Sequence, residues 1–132
     1  MIGLDTNVLL RFLLQDDERQ ARAADETLAA LSVEEPGYVT LVTLVETVWV
    51  LSRTKRLDRA GIPSLVRGLV ESGQLVVQQA SVVRDAVRDI ERSSADFADA
   101  LIAQLALEAG CEYTLTFDRT AAQLPGMRLL EA

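Results

Sequence analysis

The sequence contains no histidine among its 132 residues. That absence removes Ser-His-Asp and Cys-His nucleophilic sites, the His-x-x-x-His zinc helix, and any metal-free ribonuclease chemistry with histidine as acid and base. Cys111 is the single cysteine, so no internal disulfide can form, which suits a reducing cytosol. Aromatic residues make up only 5% of the chain, leaving leucine, valine and alanine to fill the core. No apolar stretch reaches the roughly 18 residues that cross a bilayer. The longest, around residues 39–51, is interrupted by Glu46. The opening Met1-Ile2-Gly3-Leu4-Asp5 has no basic region followed by an apolar run, unlike a signal peptide. A cytoplasmic protein without a membrane partner is expected.

What is present fits one domain spanning residues 1–132, with 49% hydrophobic and 25% charged residues. Twenty acidic residues against thirteen basic ones give a net charge of −7. That balance opposes nonspecific binding of nucleic acid. An enzyme built from this composition would use carboxylates, and carboxylates favour a hard metal ion.

Strand and helix signals alternate. Met1 to Leu4 is an apolar run long enough for a buried strand, followed by a helix over residues 6–14 that Asp5 can cap. Asp16-Asp17-Glu18 opens a second helix with an Ala21, Ala24, Leu28, Leu31 stripe. After the Pro36-Gly37 break come a short strand at Tyr38-Val39-Thr40 and helices over 42–54 and 59–72. Leu75 to Gln79 is β-rich. Ser81 is expected to cap a helix carrying Val82, Val83, Ala86, Val87 and Ile90, and Ser94 to start another that stops at Gly110. Tyr113 to Phe117 and residues 127–130 read as strands. This alternation predicts parallel pairing through right-handed crossovers, with the functional edge at the strands' C-terminal ends.

Four acids sit in apolar sequence. Asp5 and Asp118 end strands, Glu46 is the only charge between residues 36 and 52, and Asp99 lies within Phe97-Ala98-Asp99-Ala100-Leu101-Ile102-Ala103. A helix as apolar as 42–51 is expected to be buried on most sides, and a buried carboxylate needs a counter-charge, hydrogen bonds or a metal. Two carboxylates about 4 Å apart repel by about 4 kcal/mol at an effective dielectric of about 20. A divalent cation turns that repulsion into attraction, and Mg²⁺ or Mn²⁺ suits an all-oxygen site. Each acid also has a plainer role. Asp5 can be a helix cap, Glu46 the partner of a buried Arg11, Asp99 part of a solvated face with Asp96, and Asp118 a turn residue. Asp96 itself is either the cap of the helix carrying Asp99 or an outer carboxylate.

The opening Gly3-Leu4-Asp5-Thr6-Asn7-Val8-Leu9-Leu10 resembles the start of a PIN-domain ribonuclease of the VapC toxin type. The helix around Glu46, the Asp99-Ala100-Leu101-Ile102-Ala103 segment and Leu115-Thr116-Phe117-Asp118 resemble that family's other acidic motifs, in the same order, across essentially the whole chain. The resemblance implies a Rossmann-like, three-layer α/β/α sandwich with a central, mainly parallel sheet. It also implies Mg²⁺- or Mn²⁺-dependent endoribonuclease activity. It makes Asp5, Glu46, Asp99 and Asp118 the acidic metal site, with Thr6, Asn7, Asp96 and Thr116 in support. The implied partners are an RNA substrate, a cognate VapB-like antitoxin and a second copy in a homodimer or toxin–antitoxin hetero-oligomer.

The segment 53–67, with five cations against Asp58 alone, is either a solvated helix face or a phosphate track through Arg53, Lys55 and Arg56, with Arg11 and Arg119 able to help near the acids. The helices rich in Ala, Val and Leu could form a groove for an antitoxin helix, or simply the core. Two other acidic α/β folds fit less well. A receiver domain needs an acidic pair after its first strand and a late lysine, whereas the only lysine is Lys55. A haloacid-dehalogenase-type phosphatase wants an Asp where Asn7 stands. The remaining alternative is a non-catalytic module of the same fold that acts through a protein partner.

Overall fold

A computed structural model describes residues 1–132, in two compact units, Met1–Gln78 and Gln79–Ala132. The architecture is α/β, and every strand pairing is parallel.

The first unit holds β1 (Ile2–Gly3), α1 (Thr6–Leu14), α2 (Glu18–Ala29), β2 (Gly37–Val39), α3 (Leu41–Arg53), α4 (Gly61–Glu71) and β3 (Leu75–Val77). Its sheet runs β1-β2-β3, with Ile2 opposite Gly37 and Val39 opposite Val77. Asp17 caps α2 by accepting from the Gln20 N–H, and the expected Ala21, Ala24, Leu28 stripe is buried. A Cβ at position 37 would stand 2.8 Å from Leu4 Cδ1 and 2.9 Å from Leu31 Cδ1, so any larger residue there makes these two core leucines shift.

The second unit holds α5 (Ala80–Glu91), α6 (Phe97–Glu108), β4 (Thr114–Thr116), a 3₁₀ turn (Ala121–Gln123) and β5 (Met127–Leu129), which pairs with β4. Val82, Val83, Ala86, Val87 and Ile90 are buried on α5, as their spacing requires, and α5 packs against α6.

Three expectations are corrected. Ser81 is not a cap: α5 begins one residue earlier, behind Gln79, whose φ of 48° turns the chain without a side-chain bond. Ser94 lies before α6, not at its start; Asp96 is the cap, its carboxylate being nearer the free N–H groups. Helix α3 is not buried on most sides. Thr43, Leu44, Thr47, Val48 and Leu51 face inward, but Val42, Glu46, Trp49 and Arg53 are exposed along the opposite stripe.

Helix α3 ends in a paired C-terminal motif: Arg56 N–H donates to Leu51 O (2.9 Å) and Lys55 N–H to Ser52 O (3.1 Å). The motif holds Lys55 at φ 60°, a left-handed conformation in which a Cβ is strained. Lys55→Gly is therefore expected to stabilise the chain by about 0.5–1 kcal/mol, read as a higher midpoint in chemical denaturation at unchanged slope.

Candidate metal centre

In the first unit the site begins where β1 ends. The chain leaves Gly3 through buried Leu4 and emerges at Asp5 in an extended conformation (φ −88°, ψ 174°). Asp5 Oδ1 accepts from Val8 N–H at 3.2 Å, so Asp5 is the cap of α1 and remains exposed. One carboxylate oxygen meets the helix, and the group's charge sits at the positive helix end. Asp5 and Asn7 line an open cleft of about 460 Å³ together with Ile2, Arg11 and Gln20.

The next residue couples this segment to α3. Buried Thr6 donates its hydroxyl to Glu46 Oε1. Glu46 is exposed and bonded by a threonine; it is not buried against Arg11 as its apolar surroundings suggested. Arg11 instead donates to Gln20 Oε1 (2.6 Å) and forms an ion pair with Asp16 (3.3 Å). The reason is local: Asp16 and Gln20 lie within reach at the start of α2.

In the second unit, α6 carries Asp99 in its first turn. Asp96 Oδ1 accepts the Asp99 N–H at 2.8 Å. Asp118 follows β4, and its Oδ1 accepts from Thr120 N–H (2.7 Å) and Ala121 N–H (3.1 Å), which starts the 3₁₀ turn. The Asp118 N–H in turn donates to Thr116 Oγ1 at 3.0 Å. Asp99 is half-buried, and its carboxyl titrates above the ordinary range. Partial burial is the main cause, the negative charges of Asp96 and Asp118 add to it, and a hydrogen bond to Asp96 contributes last. Gln104, beside this motif in sequence, donates to Asp89 Oδ2 (2.7 Å). Arg119 is exposed.

The structure thus gathers Asp5, Thr6, Asn7 and Glu46 in one unit, and Asp96, Asp99, Thr116 and Asp118 in the other. Within neither unit do three acidic groups converge closely enough to coordinate one ion. The donor set is nevertheless all oxygen, carboxylate and hydroxyl, which fits a hard divalent cation. The like-charge stress on Asp99 is of the kind such a cation relieves. Sequence reasoning missed Trp49, because a uniformly apolar run conceals which face is exposed. The three-residue spacing from Glu46 was the available signal.

The raised Asp99 pKa makes stability depend on pH. The folded chain keeps this proton to a higher pH than the unfolded chain does, so stability falls as pH rises from the ordinary carboxylate value through that of folded Asp99. Without divalent metal, Asp99→Asn is expected to melt at a higher temperature than wild type at pH 7, with the gap closing near pH 4. A gap that widens toward pH 4 would contradict the assignment.

A family profile described as the PIN domain matches residues 2–127. No curated protein matches the sequence significantly. The match covers both units and every acid described above, and it accords with the parallel α/β architecture: the chain belongs to the PIN-domain family, whose members are generally nucleases that use divalent metal ions.

Proposed function

We infer that the chain is a metal-dependent endoribonuclease, acting as the toxin of a type II toxin–antitoxin pair of the VapC type. The observation that carries the nuclease reading is the PIN-domain match over residues 2–127, in a chain with no histidine to serve as acid or base. Asp5, Glu46, Asp99 and Asp118 would hold Mg²⁺ or Mn²⁺. The ion would supply an activated water and offset charge on the phosphate.

The chain's own residues prepare that chemistry. Thr6 orients the Glu46 carboxylate through its hydroxyl. Asp96 fixes the first turn of α6 and with it Asp99. Thr116 sets the direction of the chain at Asp118. Hydrolysis breaks the phosphorus–O3′ bond. Water contributes oxygen to phosphorus and a proton to O3′, leaving a 5′-phosphate and a 3′-hydroxyl. The RNA backbone would lie on Arg53, Lys55 and Arg56, which are exposed and paired with no carboxylate. Arg119 would assist, whereas Arg11 is held by Asp16.

The toxin reading adds a VapB-like antitoxin, a homodimer or hetero-oligomer, and a cytoplasmic setting. No helix is long and apolar enough to cross a membrane. The stripes on α2 and α4 that could have formed an antitoxin groove, Ala21, Ala24 and Leu28 with Ile62, Val66 and Leu69, are buried in the core. An open cleft lies beside Asp5. A non-catalytic binding module is the second reading, favoured by the capping bonds that Asp5, Asp96 and Asp118 already make.

A cleavage assay on a pool of structured RNAs separates the two. Cutting is expected with Mg²⁺ or Mn²⁺, absent in EDTA, and reduced at least 100-fold in Asp5→Asn and Asp99→Asn, since loss of a ligand removes several kcal/mol of charge stabilisation. Metal-independent cutting, or full activity in both variants, overturns the nuclease reading. Replacing Arg53, Lys55 and Arg56 together by alanine is expected to flatten the plot of log binding constant against log salt concentration. An unchanged slope removes these residues from the phosphate path.

A further inference from the structure

Val42, Glu46, Trp49 and Arg53 follow one another at spacings of four, three and four, so they share one face of α3. All four are exposed, while the opposite stripe is buried. Trp49 is the only tryptophan in the chain, and 55% of its surface is exposed. An indole so placed offers π-surface to solvent. The Arg53 guanidinium lies 5.0 Å from the ring centroid, within range of a cation–π contact. At 1.5 Å per residue, Trp49 stands about 4.5 Å and Arg53 about 10.5 Å along the helix axis from Glu46. Beyond Arg53 the left-handed turn at Lys55 ends the helix and leaves Lys55 and Arg56 exposed.

The face therefore runs from a carboxylate, past an aromatic ring, to Arg53, and exposed Lys55 and Arg56 follow in the turn that ends the helix. An apolar partner helix needs a run of apolar anchors, and only Val42 and Trp49 are offered here, interrupted by Glu46. The cations suit phosphates and the indole suits a base. A duplex keeps its bases stacked inside the helix, so the fitting ligand is single-stranded.

We propose that Trp49, with Arg53 against its ring, is the platform on which one unpaired base of a single-stranded RNA stacks, with the flanking phosphates on Arg53, Lys55 and Arg56. The platform rests on the nuclease reading for its ligand and deepens it. Trp49 is a substrate-positioning residue that selects unpaired RNA and sets which nucleotide lies beside Glu46.

Because Trp49 is the sole tryptophan, its emission reports the contact directly. The intact protein is titrated with a short unpaired RNA oligonucleotide without divalent metal, and separately with a duplex of the same sequence. Saturable quenching is expected with the unpaired RNA and none with the duplex. Trp49→Ala should bind at least about 10-fold more weakly, the loss of one base–aromatic stack, while Trp49→Phe keeps most of the affinity. Unquenched emission with RNA bound, or wild-type affinity in Trp49→Ala, overturns the proposal. So does a blue shift that follows protein concentration without RNA, which would assign the face to contact between copies. Cleavage of the same RNA with Mg²⁺ is measured in parallel. Cutting with a silent Trp49 overturns the platform alone, whereas neither binding nor cutting overturns the nuclease reading with it.

Discussion

Carboxylates at helix starts organise both units. Asp5 receives the chain from β1 and accepts a backbone N–H of α1, Asp96 does the same for α6, and Asp118 follows β4 and opens the 3₁₀ turn. Each helix start has N–H groups with no partner inside the helix and a partial positive charge. A carboxylate satisfies both needs and is thereby fixed in place, with oxygen lone pairs left over.

This economy has an electrostatic consequence. Asp96 and Asp118 are exposed, and their charges add to the partial burial that is the main reason Asp99 holds its proton. The stress falls on Asp99, the half-buried member, and appears as a proton held beyond the ordinary carboxylate range. Threonine hydroxyls complete the arrangement: Thr6 donates to Glu46, and Thr116 accepts the Asp118 N–H. In each unit the hydroxyl adds orientation without adding charge.

Much of the fold was legible because period and punctuation agreed. The Val82–Ile90 stripe, the Asp17 cap and the strand at Leu75–Val77 follow from spacing and cap chemistry. Capping by Asp5 and Asp96 was among the roles the sequence allowed, and the geometry selects it. The errors share a cause. Ser81 and Ser94 are good caps in isolation, but the true start of each helix is set by where the chain turns, at Gln79 and at Asp96. A buried salt bridge with Arg11 is the plainer role that apolar neighbours suggest for Glu46, yet Arg11 is engaged by Asp16 and Gln20 across the α1–α2 turn.

The sequence by itself determined the residue types and their order. The absence of histidine excludes histidine-based sites, four acids stand in apolar settings, and the order of the motifs fits the PIN-domain family. Tertiary structure decided which way the ambiguous side chains point. Helix α3 is apolar over most of its length, so in sequence only Glu46 and Arg53 hint at its outer face. Packing in the first unit buries Thr47 and Leu44 and turns Glu46, Trp49 and Arg53 outward. Periodicity marks a face only where polar and apolar residues alternate; where they do not, the neighbouring elements choose.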